Sequence, residues 1–277
     1  MKTVWLPLAA ACLVAGLVPN VSMAQSLFPD KNLEAVVRQY VFEKKNTDAP
    51  IVEEDVKNIS QIEGKGKGIT NLQGLEKCYS LALLNLANNQ IEDISALKEL
   101  KNIQSLDLSQ NKIKDLTPLA ELTGLQWLNL SENQITDIAP LAKLENLRTL
   151  YLSKNQLTAV DTVAGFKKLW SLYLEGNQVK DLKPIGELKD LETLYVNGNG
   201  VSDLSSLAPL TELHYLILDD NQITDIGVLV EMAKKDSEGE KRFAPFWKIY
   251  LKNNPLTDAA KQQVEQIKQF GGKVTLE

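Results

Sequence analysis

Asparagines recur at Asn89, Asn111, Asn133, Asn155, Asn177, Asn199 and Asn221, each 22 residues after the last. A fixed period of this length is the signature of a solenoid, because each period is one structural unit stacked on the next. Around every asparagine runs the frame L-x-x-L-x-L-x-x-N-x-[ILV]-x-D-[ILV], as in residues 125–138, with few exceptions. The column before it reads Leu86, Leu108, Leu130, Leu152, Leu174, Val196, Leu218, and the column after it reads Ile91, Ile113, Ile135, Leu157, Val179, Val201, Ile223.

The physics of one unit follows from that pattern. L-x-L alternates with period two, so it predicts a short strand with both leucines turned inward. One unit cannot bury them, whereas stacked units make a continuous core beneath a parallel sheet. The asparagine amide is placed to satisfy backbone groups where the chain leaves the strand. Twenty-two residues leave little room for a helix on the return path, so a 3₁₀ or irregular back is expected. The column Asp93, Asp115, Asp137, Asp181, Asp203, Asp225 suits capping of that back turn, a reading preferred to a calcium ladder. Ala159 breaks this column without breaking the repeat.

The 22-residue frame with N-x-I-x-D-[IL] resembles the internalin-type subclass of bacterial leucine-rich repeats. Residues 28–41 and the stretch to residues 66–78 are similar to that family's helical N-terminal cap, with Leu33, Val36, Val37, Tyr40 and Val41 as its buried face. The resemblance implies an α/β solenoid: a right-handed curved superhelix with the parallel sheet on its concave face. It also implies binding of proteins, often host or cell-surface partners. Members that attach to a cell wall carry an immunoglobulin-like module and an anchoring region after the repeats; neither follows residue 277 here, which favours a free secreted or periplasmic protein.

At the N-terminus, Lys2, an apolar run and Ser22-Met23-Ala24 form a secretory signal pattern, with cleavage expected after Ala24. The expected organisation is then a signal peptide over 1–24, a helical cap over 25–68 and repeats over 69–226. An insertion follows over 227–245, and a final repeat with its cap over 246–277. The insertion shows as a break in period, since the next matching asparagine, Asn254, comes 33 residues after Asn221. Within it residues 228–235 suit a short helix and 236–239 a solvated loop tip. Residues 257–270, with Ala260, Val264 and Ile267 apolar, suit a helix, and residues 273–276 an edge strand that closes the sheet.

The whole chain has a net charge of −6, more negative still without Lys2, which speaks against nucleic acid or an anionic membrane surface as partner. After residue 24 no apolar run is long enough to span a membrane. Cys78 is then the sole thiol, and it falls in the core column of Leu100, Leu122 and Leu144, so it is expected to be a buried hydrophobe. With His214 the sole histidine and no nucleophile, metal or phosphate-loop motif, neither catalysis nor a cofactor is expected.

What remains is the outward face of the sheet. Its aromatic positions are Trp127, Tyr151, Trp170, Tyr173, Tyr195, Tyr215, Trp247 and Tyr250, with His214 beside them and Glu175 and Asp219 as polar neighbours. Such a surface suits binding of a protein or peptide by a monomer, because tyrosine and tryptophan dominate interface energetics. The same rings could instead only stack along the sheet and stabilise it. A carbohydrate partner is the runner-up, with sugar rings on the aromatic faces and hydroxyls on the carboxylates.

Overall fold

The computed structural model describes residues 26–243 and 246–277. The expected signal peptide, residues 1–24, lies outside the described residues, so no leader is placed here. Among the described residues ten three-residue strands form one parallel sheet in sequence order. They are β1 (Gln61–Glu63), β2 (Leu83–Asn85), β3 (Ser105–Asp107), β4 (Trp127–Asn129), β5 (Thr149–Tyr151), β6 (Ser171–Tyr173), β7 (Thr193–Tyr195), β8 (Tyr215–Ile217), β9 (Lys248–Tyr250) and β10 (Lys273–Thr275). Within the repeats the pairing is in register with the sequence columns: Leu128 opposes Leu150, and Tyr151 opposes Tyr173.

Each strand turns its central residue into the core, so Leu106, Leu128, Leu150, Leu172, Leu194 and Leu216 are all fully buried. The chain returns through 3₁₀ turns such as Thr117–Leu119 and Ala139–Leu141. This back layer is broader than a strand, and the sheet therefore lines the inside of a right-handed curve. In the aspartate column the carboxylate accepts the N–H two residues on, as Asp115 does from Thr117 at 2.8 Å. The bond comes from one residue outside the N-cap position, which Leu116 occupies.

Consecutive units are joined by the asparagines. Asn133 Nδ2 donates to the carbonyls of Leu108, Leu130 and Ser131, while its Oδ1 accepts the N–H of Ile113. One amide thus serves its own turn and the preceding one, and the same set recurs at Asn111, Asn155 and Asn177. The residue before each asparagine is left-handed, including Gln110 at φ 56°, Glu132 at 57° and Lys154 at 54°. Non-glycine residues resist that region, so the asparagine bonds hold a conformation that local sequence disfavours.

The ends are closed as expected. At the N-terminal end α1 (Lys31–Arg38) is capped by Asp30 and buries Leu33, Val36 and Val37, followed by α2 (Glu53–Val56). At the other end the insertion forms α3 (Gly227–Glu238), which packs on α4 (Asp258–Gln269). The helix α3 runs through residues 236–238, where a loop tip was expected. Asp236 is half-buried there, and its carboxylate takes the N–H groups of Arg242 and Phe243 from the returning chain, giving the last turn a partner. After α4 the strand β10 pairs with β9.

Two measurements check this account. Asn133→Ala leaves the Ile113 N–H without a partner and the Leu108 carbonyl with Asn111 as its remaining donor, so the urea midpoint should fall by the equivalent of about 1–3 kcal/mol. Asn133→Asp should not restore it, because a carboxylate cannot donate. Cys78 is fully buried, and burial, then the Glu76 charge, pushes its thiol up to about 12. Alkylation at pH 8.5 should run at least about a hundred-fold slower than for a free peptide cysteine, and unfolding should abolish the difference.

Candidate binding face

Residues one before and one after each central leucine point away from the core, which sets two outward columns. The second column carries Tyr151, Tyr173 and Tyr195 on β5, β6 and β7. Their rings form a continuous stack, with centroids 4.2 Å apart and nearly parallel between Tyr151 and Tyr173, and 4.8 Å apart between Tyr173 and Tyr195. Trp127, from the first column, closes the N-terminal end at 5.4 Å from Tyr151. All four are half-buried. The register continues through Ile217, which is buried, to Tyr250.

This packing changes the chemistry of the phenols. Burial, with the neighbouring Tyr151 phenol next in weight, pushes the Tyr173 hydroxyl up to about 12. Tyr195 is raised by burial, then by Tyr250 and Glu175. Tyr173 and Tyr195 therefore stay neutral at physiological pH and offer hydroxyls that both donate and accept.

Along the rim beside β5 to β9 lie the remaining aromatics. Trp170 precedes β6, is 46% exposed, and carries the Arg148 guanidinium 5.2 Å above its ring. Tyr215 is 40% exposed, and the Lys248 ammonium sits 4.9 Å from its ring centroid. Stacked cations of this kind fix both partners in place. His214 is half-exposed, with Nε2 3.1 Å from the Arg242 carbonyl, a bond the imidazole makes when that nitrogen is protonated. Glu175 flanks Tyr195 and is half-exposed. Asp219 accepts the Lys252 N–H at 2.7 Å; its carboxyl is raised by burial, against which that N–H pulls.

One expected member is not on this face. Trp247 is 1% exposed, stacked on Phe243 at 4.5 Å, and Gly272 of the C-terminal cap lies against it. Phe246, which the repeat frame turns inward, is instead 63% exposed and sits edge-on to His214. The frame fails here because the insertion replaces the usual approach to the strand. The N–H groups of Phe246 and Trp247 both bond the Phe243 carbonyl, and this turn presents the opposite side of the chain. No sequence signal marked Phe246, because its column elsewhere is core leucine or isoleucine.

Among the described residues no group of three or more histidine, cysteine, aspartate or glutamate side chains could hold a metal ion. No helix among them is long and apolar enough to cross a membrane.

A family model described as Leucine Rich repeats (2 copies) matches residues 79–121, 123–165 and 167–209, and a second, described as Leucine Rich repeat, matches 210–230. Internalin C2 of Listeria monocytogenes superposes with a TM-score of 0.71 at 37% identity, covering 74% of this chain and 91% of that one. A leucine-rich-repeat protein of Leptospira interrogans superposes at 0.66 with 26% identity over 75% of this chain and 52% of that one. Internalin InlF of Listeria monocytogenes, at 0.53 and 23% identity over 93% of both chains, shares the fold. No curated protein sequence matches the chain significantly. The class that fold and face define is a leucine-rich-repeat solenoid. Within that class, the chain belongs to the internalin-type family of bacterial leucine-rich-repeat proteins.

The stack itself can be checked by absorbance. A phenol whose folded value lies above its unfolded value of about 10 binds more protons in the native state through that window. The stabilisation it reflects is complete below pH 10 and is lost as pH rises toward 12. The phenolate increment missing from Tyr173→Phe should therefore appear above pH 11; an increment centred near 10 would show an open ring.

Proposed function

We propose that this protein is a secreted, non-catalytic binding module that holds a protein or peptide partner on the aromatic concave face. In this reading residues 25–68 and 246–277 cap a rigid repeat body, and residues 227–245 wall one edge of the face. The observation that carries the proposal is the exposed rim, Trp170 and Tyr215, standing beside the half-buried stack of Tyr151, Tyr173 and Tyr195. A stack that served only the sheet needs no large exposed aromatics next to it, whereas interface centres combine prepacked rings with such anchors. Trp127, Glu175, His214, Asp219 and Tyr250 complete the surface, and Phe246 joins it in place of Trp247.

A protein partner fits better than a sugar. Asp219 and Asp220 are already engaged by the Lys252 N–H and the Asn253 amide, each at 2.7 Å, which reduces the acceptors left for hydroxyls. One face of Trp170 is covered by Arg148. The outward residues are also held by their own stacking, so little side-chain freedom is lost on binding.

The test is affinity capture with purified protein, followed by titration of the recovered partner. Trp170→Ala with Tyr173→Ala should weaken binding by more than about thirty-fold, the size of a hot-spot loss, with the circular dichroism spectrum unchanged. Equal affinity of the folded double variant would refute the proposed face.

A further inference from the structure

Beside the aromatic face, on the rim N-terminal to β3, β4, β5 and β6, lies an open cavity of about 350 Å³. Lys101, Arg148 and Lys168 line it together with carboxamides, and no carboxylate does. That composition runs against a chain with 36 acidic and 30 basic side chains. Lys101 meets the Glu99 carboxylate at 3.8 Å and donates to the Lys98 carbonyl, whereas the other two cations are underused. Among the described residues Arg148 makes no ion pair and its guanidinium donates no hydrogen bond. Lys168 donates to Asn146 Oδ1 at 2.7 Å and meets no carboxylate. Stacking on Trp170 fixes the plane of the Arg148 guanidinium, so its fork is presented with little entropy left to lose.

The floor of the cavity is cut by one residue. Asn102, Gly124, Asn146 and Lys168 occupy one column, and the first and third donate to carbonyls one unit back, those of Tyr79 and Thr123. Gly124 is not among the left-handed glycines, so its backbone does not require glycine. A Cβ there would meet the Lys101 and Ile103 carbonyls at 3.4 Å, where an asparagine would sit and raise the floor.

We propose that this rim cavity is a second binding site, separate from the tyrosine stack, that takes the carboxylate side chains of an acidic peptide segment. The four units span three inter-strand steps, about 14 Å, the length of four or five extended residues. Arginine and lysine recognise carboxylates through charge-assisted hydrogen bonds. Gln104 and Gln126, also at the cavity, each offer a donor and an acceptor that match a peptide backbone. A uronic-acid glycan supplies carboxylates too, but the Trp170 face that its rings would use is covered.

The site meets the aromatic face at the Arg148–Trp170 contact but shares no residue with the tyrosine stack, so Tyr173→Ala lets either assignment fail alone. The test is calorimetric titration of the full chain with blocked hexaglutamate at low salt. Saturable binding is expected, weakened about ten-fold or more by 0.5 M salt and by Arg148→Gln with Lys168→Gln. Gly124→Asn, which imitates its own column neighbours, should weaken it to a similar degree without loss of thermal stability. Tyr173→Ala should leave it unchanged. Absence of saturable binding, equal binding by the Arg148/Lys168 variant, loss in Tyr173→Ala, or binding of hexagalacturonate in place of the peptide would each overturn the proposal.

Discussion

Everything in this molecule depends on an asparagine side chain that bonds two repeats at once. An amide carries two donors and an acceptor, and at Asn133 both ends are used within the core. The Ile113 N–H, which has no other partner, is satisfied, and three carbonyls each gain a further donor; these groups belong to two consecutive units. No other side chain of similar size does both tasks, since aspartate cannot donate and leucine can do neither. The period of the sequence is the spacing at which this bridge repeats.

Because the bridge fixes the exit from each strand, the backbone just before it is forced left-handed even where Gln110, Glu132 or Lys154 stands. It also fixes register, and register decides what lies beside what on the outer face. Tyr151, Tyr173 and Tyr195 stack because β5, β6 and β7 are held level, one inter-strand spacing apart. The hydrophobic columns supply the stability of the solenoid, but the polar bridge determines its surface geometry. A binding face made in this way is preorganised, which is where its affinity would originate.

The columns made most of this legible. Through the unbroken period the facing of every outward tyrosine, the burial of Cys78 and the helix-plus-strand closure of the C-terminal end follow from period-two alternation and apolar spacing. Legibility ends where the period does. Trp247 and Phe246 exchange sides because the insertion brings the chain into β9 through a turn at Phe243, and a frame argument assumes the usual approach. The extension of α3 through residue 238 depends on Asp236 meeting N–H groups six and seven residues later, a tertiary contact no local pattern encodes. The left-handed column was also hidden, since glycine marks it only at Gly66, Gly176 and Gly198. Arg148 over Trp170 joins neighbours of one column, 22 positions apart, in which residue type follows no pattern, and the pair appears only once the strands are aligned.

The central claim is that the partner meets the inside of the curve and not its back. Site-specific photo-crosslinking separates the two directly. A photoreactive residue at Ser171, on β6 beside Tyr173, should yield one partner-dependent adduct that excess unlabelled protein competes away. The same residue at Lys183, on the return path behind the sheet, should yield none. Adducts of equal strength from both positions, or from Lys183 alone, would contradict the account.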